Sequence, residues 1–258
     1  MGAKKLQEFE HMLERQRDSW RMRRRDDDDR KTYDEVFNKE NLLRVYKLFT
    51  DGVIDRLDFP ISTGKEGNVF RASTEDGKLL AVKIYRTSNA TFMDMAKYIN
   101  GDPRFKGIMT NRRKLILAWA SKEFRNLQRY TEAGLRVPKA VARNQNIIVM
   151  EYIGDEVAPA LELRNVKLED PADVARQMLE FVRQGFQKAQ LVHADLSEYN
   201  VLVKGDELVF IDVGQAVLTG HPMAREFLER DLRNIARYFK RLGVSIDAAS
   251  EMKEVIGK

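Results

Sequence analysis

The stretch from Val201 to Asp212 constrains this chain more than any other. Val201-Leu202-Val203 and Leu208-Val209-Phe210-Ile211 are strand-like runs separated by Lys204-Gly205-Asp206-Glu207. A two-residue turn at Gly205-Asp206 is the tightest way to join two antiparallel strands. With that turn Lys204 faces Glu207, and Asn200 lies opposite Ile211. Asn200 and Asp212 then become neighbours at the open end of one hairpin, beside Asp195. An amide and a carboxylate gathered there make an oxygen-ligand site suited to Mg²⁺ carrying nucleotide phosphates. Asp and Asn also cap turns for purely local reasons, but spacing and hairpin geometry together favour the metal reading.

Composition sets the bounds. The 258 residues, 43% hydrophobic, are enough for one bilobal unit or two small domains. Cys is absent and only three His occur, which excludes disulfides and leaves zinc without a ligand cluster. No apolar run reaches the ~18 residues of a membrane span, and the charged N-terminus lacks the apolar core of a secretory signal. The expected location is cytoplasmic, with no membrane partner. The 45 Lys+Arg against 40 Asp+Glu leave a net +5, which permits a polyanionic partner without requiring one.

Along the chain, residues 1–32 read as a charged tail, partly disordered, that ends in Arg23-Arg24-Arg25 and Asp26 to Asp29. Leu6, Phe9 and Leu13 keep helical spacing within it. A helical pattern covers Tyr33 to Phe49, and a hairpin follows in which Val69–Ala72 and Leu79–Tyr85 flank Asp76-Gly77. Residues 86–113 are polar, contain Gly101, Pro103 and Gly107, and read as an inserted flexible loop. Helices are expected over 114–132, 172–190 and 222–242, and a short strand over 147–153.

Lys83 is the lone charge in an apolar strand, sharing a face with Ala81 and Tyr85 while Leu80, Val82 and Ile84 face the core. Glu123 lies between Trp119 and Leu127 at spacings of four, which puts a carboxylate on an apolar helix face. An ionised group there is costly unless paired. A snorkelling Lys is the plainer reading of Lys83, but two matching anomalies suggest a Lys–Glu pair. Ser62-Thr63-Gly64-Lys65-Glu66-Gly67-Asn68-Val69, just before the hairpin, reads as a loop whose backbone approaches phosphate, or as a plain hairpin loop. Met150-Glu151-Tyr152-Ile153 ends a strand whose backbone is placed to pair with adenine, or is an ordinary buried strand. Asp231, between Phe227 and Ile235, is expected to accept hydrogen bonds from the backbone around Asp195.

His193-Ala194-Asp195-Leu196-Ser197-Glu198-Tyr199-Asn200 matches the protein-kinase catalytic-loop spacing, with an Asp followed five residues later by an Asn. With Ser62 to Phe70, Ala81 to Tyr85, Lys122 to Leu127 (KEFRNL), Ile211 to Gln215 (IDVGQ), and His221-Pro222 through Asp231-Leu232, the chain resembles the RIO atypical protein kinases, type 1 branch. The resemblance implies an α+β, reduced bilobal protein-kinase-like fold without an activation segment or late C-lobe helices. A β-rich N-terminal lobe would cover 33–150 and a mainly helical C-terminal lobe 151–258. It implies ATP with Mg²⁺, or alternatively Mn²⁺, serine/threonine kinase or ATPase activity, and a role in maturing the small ribosomal subunit and its rRNA. In that family Asp195 would be the catalytic Asp, Asn200 and Asp212 the metal ligands, and Lys83 the phosphate-binding Lys paired with Glu123. Backbone from Ser62 to Asn68 would lie over the phosphates. Basic clusters at Arg23–Arg25 and Arg112–Lys114 are candidate rRNA contacts.

Departures from ordinary kinases narrow the expectation. Ala194 stands where an Arg usually grips a phosphorylated activation loop, and only Gln215 to His221 separate Gly214 from the next helix. Two other readings compete. A small-molecule kinase of aminoglycoside or choline type would carry a large helical insert after Asp212, and none fits. A non-catalytic nucleotide-binding scaffold would not need Lys83, Glu123, Asp195, Asn200 and Asp212 together.

Overall fold

A computed structural model describes Phe9 and residues 11–13, 37–64, 66–86, 92–102, 105 and 111–257, with backbone only at 92–94, 96 and 112. Lys65, Pro103, Gly107, the Arg23–Asp29 charge run, and Thr87, Ser88 and Thr91, which the accessibility of the expected loop and the family resemblance make candidate autophosphorylation residues, lie outside the described residues. The chain divides into two compact units, one of Met1–Phe92 with Ala140–Tyr152, the other of Met93–Lys139 with Ile153–Lys258.

The first unit is an antiparallel sheet with a helix on one face. Helix α1 (Lys39–Thr50) starts at Asn38, whose side chain accepts from the Asn41 N–H at 3.0 Å. Strands β1 (Arg56–Thr63), β2 (Gly67–Ser73), β3 (Leu79–Tyr85), β4 (Ala140–Asn144) and β5 (Ile147–Glu151) pair in the order β1-β2-β3-β5-β4. Alternate residues Phe70 and Ala72, Leu80, Val82 and Ile84, and Ile147 and Val149 join Leu42, Val45 and Leu48 in one buried cluster. A buried polar knot ties α1 to the sheet. Arg44 donates to Asn41 Oδ1 at 3.1 Å and Asn146 Oδ1 at 2.5 Å, and Asn146 donates to the Tyr85 carbonyl at 2.7 Å.

Strand β1 differs from the loop expected around Ser62. The strand is hard to see because Pro60 interrupts it and Asp58, Ser62 and Thr63 break its apolar alternation. Its pairing with β2 is irregular on both sides of Pro60, and it lies at the sheet edge, where a residue without an N–H is tolerated. Asp58 is buried there because Arg71 and Arg56 pair with it at 2.9 and 2.6 Å.

The second unit carries α2 (Phe92–Ile99) from its second residue on, α3 (Arg112–Glu132), α4 (Pro171–Gln184), α5 (Ala224–Lys240) and α6 (Ala248–Ile256). Helix α2 corrects the reading of 86–113 as a loop throughout. Phe92, Met95, Ala96 and Ile99 have helical spacing in the sequence, and Met95, Tyr98 and Ile99 are buried. Tyr98 packs on Trp119 and Phe227, with ring centroids 5.9 and 5.1 Å away. Helix α4 starts at the N-cap Asp170 with Pro171 in its first turn, and runs into a π-helical segment at Gly185–Ala189. Short strands β6 (Leu161–Glu162), β8 (Val201–Lys204) and β9 (Glu207–Phe210) form one sheet, and β7 (Leu191–Val192) pairs with β10 (Val217–Leu218). Among the described residues no helix is long and apolar enough to cross a membrane.

Candidate active site

The β8–β9 hairpin has the expected register. Val201 pairs with Phe210 and Lys204 with Glu207, around a turn in which Gly205 has φ +60°. Its open end is closed by the Ile211 N–H donating to the Asn200 carbonyl at 2.9 Å. Asn200 Nδ2 turns back to the preceding loop, donating to the Asp195 carbonyl at 2.8 Å and to Asp195 Oδ2 at 3.3 Å. Gln215 Nε2 donates to the same Oδ2 at 2.9 Å. His193 Nε2 lies 3.1 Å from the Ile211 carbonyl, so this nitrogen carries the proton and donates. Burial holds the His193 ring down at about 4, so it is neutral at pH 7.

Asp195, Asn200, Gln215 and the residue before Asp212 are thus joined by hydrogen bonds. Asp212 is exposed, with φ +61°. Burial first, and the Asp212 charge second, push the Asp195 carboxyl up to about 6. Two carboxylates within electrostatic reach favour a cation beside them.

Helix α5 holds this loop. The Ala194 and Leu196 N–H groups donate to Asp231 Oδ2 and Oδ1 at 2.8 and 2.9 Å, the role expected from its spacing. Burial pushes Asp231 up to about 7, against the pull of those two N–H groups and of Arg230. Arg230 donates to the Ala194 carbonyl, and Asn234 to the Leu196 carbonyl at 3.1 Å. Ala194 needs this support, because its φ of +65° is left-handed and costs a residue with a Cβ about 1–2 kcal/mol.

Sequence reasoning passed over a second set of supports on α3. The Lys122 ammonium, fully buried, donates to the Gly214 carbonyl at 2.7 Å and the Ala216 carbonyl at 2.5 Å. Asn126 Nδ2 donates to the Val213 and Ala216 carbonyls, both at 2.9 Å. The spacing-of-four argument used for Glu123 does not reach them, because Lys122 and Asn126 are each other's neighbour at that spacing and neither lies between two apolar residues. Glu123 itself is 1% exposed on the same helix. Arg113 and Lys114 of the basic cluster are exposed on its first turn.

In the first unit, Ser62 and Thr63 end β1, and Gly67, Asn68 and Val69 open β2. The Gly64 N–H donates to the Gly67 carbonyl at 3.0 Å, and the Arg86 N–H to the Glu66 carbonyl at 2.9 Å. Gly67 is required by packing, since a Cβ there would lie 2.4 Å from the Ile84 carbonyl oxygen. Lys83, 9% exposed, sits between Val69 and Ile148 in the sheet, its ammonium 5.1 Å from the Tyr85 ring centroid. Met150 and Glu151 pair with Ala81 and Leu80, Tyr152 is buried after them, and Ile153 is buried in the second unit.

Comparison with known proteins bears on the family and the fold. The RIO domain family matches residues 68–252. The RIO-type serine/threonine-protein kinase Rio1 of Haloferax volcanii is 45% identical over 93% of this chain and 82% of its own length. Rio1 of Methanocaldococcus jannaschii is 39% identical over 98% of this chain and 86% of its own. The human serine/threonine-protein kinase RIO1 is 38% identical over 94% of this chain but only 43% of its own length. Among solved structures, the Rio2 kinase–ADP/Mg²⁺–phosphoaspartate complex from Chaetomium thermophilum superposes with a TM-score of 0.68. It covers 85% of this chain and 67% of that one at 21% identity, a likeness of fold. By family match and relatives alike, the chain belongs to the RIO family of serine/threonine-protein kinases.

Proposed function

We propose that the chain transfers the γ-phosphoryl group of ATP, as an atypical serine/threonine kinase and ATPase, with Asp195, Asn200 and Asp212 at the reacting end. The observation that carries this reading is the hydrogen-bonded set at the open end of the β8–β9 hairpin, with Asn200 on Asp195 and the Asp212 charge felt by Asp195. All its donors toward a ligand are oxygens. Asn200 spends its Nδ2 on Asp195, which leaves Oδ1 for a ligand, so the set fits a hard divalent cation. Asp212 and Asn200 would hold Mg²⁺, which when bound would offset charge on the phosphoryl oxygens.

Asp195 would accept the proton of an attacking hydroxyl or water as a bond forms to the γ-phosphorus. The bond to the β–γ bridging oxygen breaks, and ADP leaves. Lys83, Glu123 and the backbone from Ser62 to Asn68 would serve the nucleotide's phosphates, and the segment Met150 to Ile153 its adenine. In a second course the Asp212 carboxylate is the nucleophile and forms an acyl phosphate that water then hydrolyses. The Rio2 kinase–ADP/Mg²⁺–phosphoaspartate complex is the observation that favours this second course.

The relatives' names favour Ser or Thr as the acceptor on protein. The role proposed for the chain is in the cytoplasmic maturation of the small ribosomal subunit, in contact with its rRNA through basic residues that include Arg113 and Lys114. Incubation with γ-labelled ATP, with and without purified small subunits, tests it. Expected results are label transferred to Ser or Thr, joined by a hydroxylamine-labile label on Asp212 where the second course operates, turnover that changes with subunits present, and co-sedimentation that weakens steeply with salt. Label on Ser or Thr alone would favour the direct course. Wild-type turnover in Asp212→Ala would remove the assignment.

A further inference from the structure

We infer that Gln215 is a positioning residue that fixes the Asp195 carboxylate so that Oδ1 is the oxygen presented to the attacking hydroxyl. The inference rests on the reading of Asp195 as proton acceptor given above. A carboxylate on an Asp side chain turns readily about its last torsion, because sp³–sp² rotations have broad minima. Here Oδ2 is the held atom. Gln215 Nε2 reaches it at 2.9 Å and Asn200 Nδ2 at 3.3 Å. Of the two, the Gln215 contact is the shorter, and Asn200 spends its better hydrogen bond on the Asp195 carbonyl at 2.8 Å. With both amides on one oxygen, the second oxygen is left to take a proton.

Gln215 can hold Asp195 only if it is itself held, and its backbone is anchored on both sides. Lys122 binds the carbonyls of Gly214 and Ala216, and Asn126 those of Val213 and Ala216. Both donors are fully buried on α3, where a lost partner would be costly. The anchorage therefore runs from a rigid helix, through clamped peptide groups, to one amide and one carboxylate oxygen. Small errors in aiming a reacting group cost large factors in rate.

The test compares wild type with Gln215→Met, which keeps the length and removes the donor, and with Gln215→Glu, which replaces the donor by a charge that repels Asp195. Steady-state ATP turnover and thermal unfolding are measured for each, and Gln215→Met is also placed on Asp195→Ala. The expected result for Gln215→Met is a fall in kcat of about 10- to 100-fold, with KM for ATP within about twofold and an unchanged unfolding temperature. Gln215→Glu falls further. On the Asp195→Ala background Gln215→Met has no added effect, a result that a merely structural role would not give. Wild-type kcat in Gln215→Met while Asp195→Ala is inactive would overturn the inference alone, as would a loss carried by KM or one that adds to that of Asp195→Ala. Wild-type turnover in Asp195→Ala would overturn the proton-acceptor reading and the inference with it.

Discussion

At the scale of single residues, a buried charge and a missing Cβ carry separate duties in the first unit. Lys83 is held in a strand between two apolar neighbours, so removing its ammonium leaves a smaller apolar side chain in an intact sheet. Lys83→Ala is expected to keep its circular dichroism while nucleotide affinity by calorimetry and turnover both fall, the latter by about 100-fold or more. Asp212→Ala is expected to fail differently, with nucleotide still bound but Mg²⁺ no longer activating. Gly67 is the contrasting case. A methyl at Gly67 would press on the Ile84 carbonyl at 2.4 Å, and overpacking of this kind costs about 1–3 kcal/mol. Urea unfolding of Gly67→Ala should show that loss, and an unchanged midpoint would contradict the strand pairing of β2 with β3.

Among the elements, α5 and α3 each brace one of the loops that meet at the hairpin's open end. Asp231→Ala strands two buried N–H groups, at about 1–3 kcal/mol each. It should therefore lower the unfolding midpoint and turnover together, whereas Asn234→Ala, which frees one carbonyl, should cost less on both measures. The sequence shows some of this directly. Asp231 stands out because a carboxylate between Phe227 and Ile235 must find donors, and the β8–β9 register follows from a two-residue turn with few alternatives. It shows less where polar side chains support one another. Lys122 and Asn126 are buried beside Glu123, but each has the other as a polar neighbour four residues away, their acceptors lie about ninety residues away, and nothing local identifies a carbonyl. Strand β1 hides behind Pro60 because edge strands are free to break alternation. Helix α2 is hard to read because it is only two turns long and the helix breakers Gly101, Pro103 and Gly107 follow directly on the Phe92–Ile99 pattern.

For the molecule as a whole, acid stability contains opposed contributions. His193 titrates near 4 in the fold against 6.5 in the unfolded chain. Its contribution is therefore complete above pH 6.5 and is lost as pH falls through 4, on the order of 3 kcal/mol. Asp195 and Asp231, raised to about 6 and 7 from 3.8, act with the opposite sign, since their ionisation opposes folding as pH rises through those values. His193→Gln, which can still donate to Ile211, isolates the histidine because the two acids are common to both proteins. Urea unfolding at pH 7, 5.5 and 4.5 should show the variant losing less stability than wild type as pH falls, and parallel losses would refute the assignment. Ala194 has another consequence at this scale. A glycine in its place would relieve the left-handed penalty of about 1–2 kcal/mol and return roughly 0.5–1 of it as unfolded-chain entropy, so Ala194→Gly should melt no lower than wild type. An alanine kept at that point is therefore a stiffener, and the glycine variant should turn over ATP more slowly for the same or greater thermal resistance. In this loop the most durable chain and the fastest enzyme are expected to be different sequences.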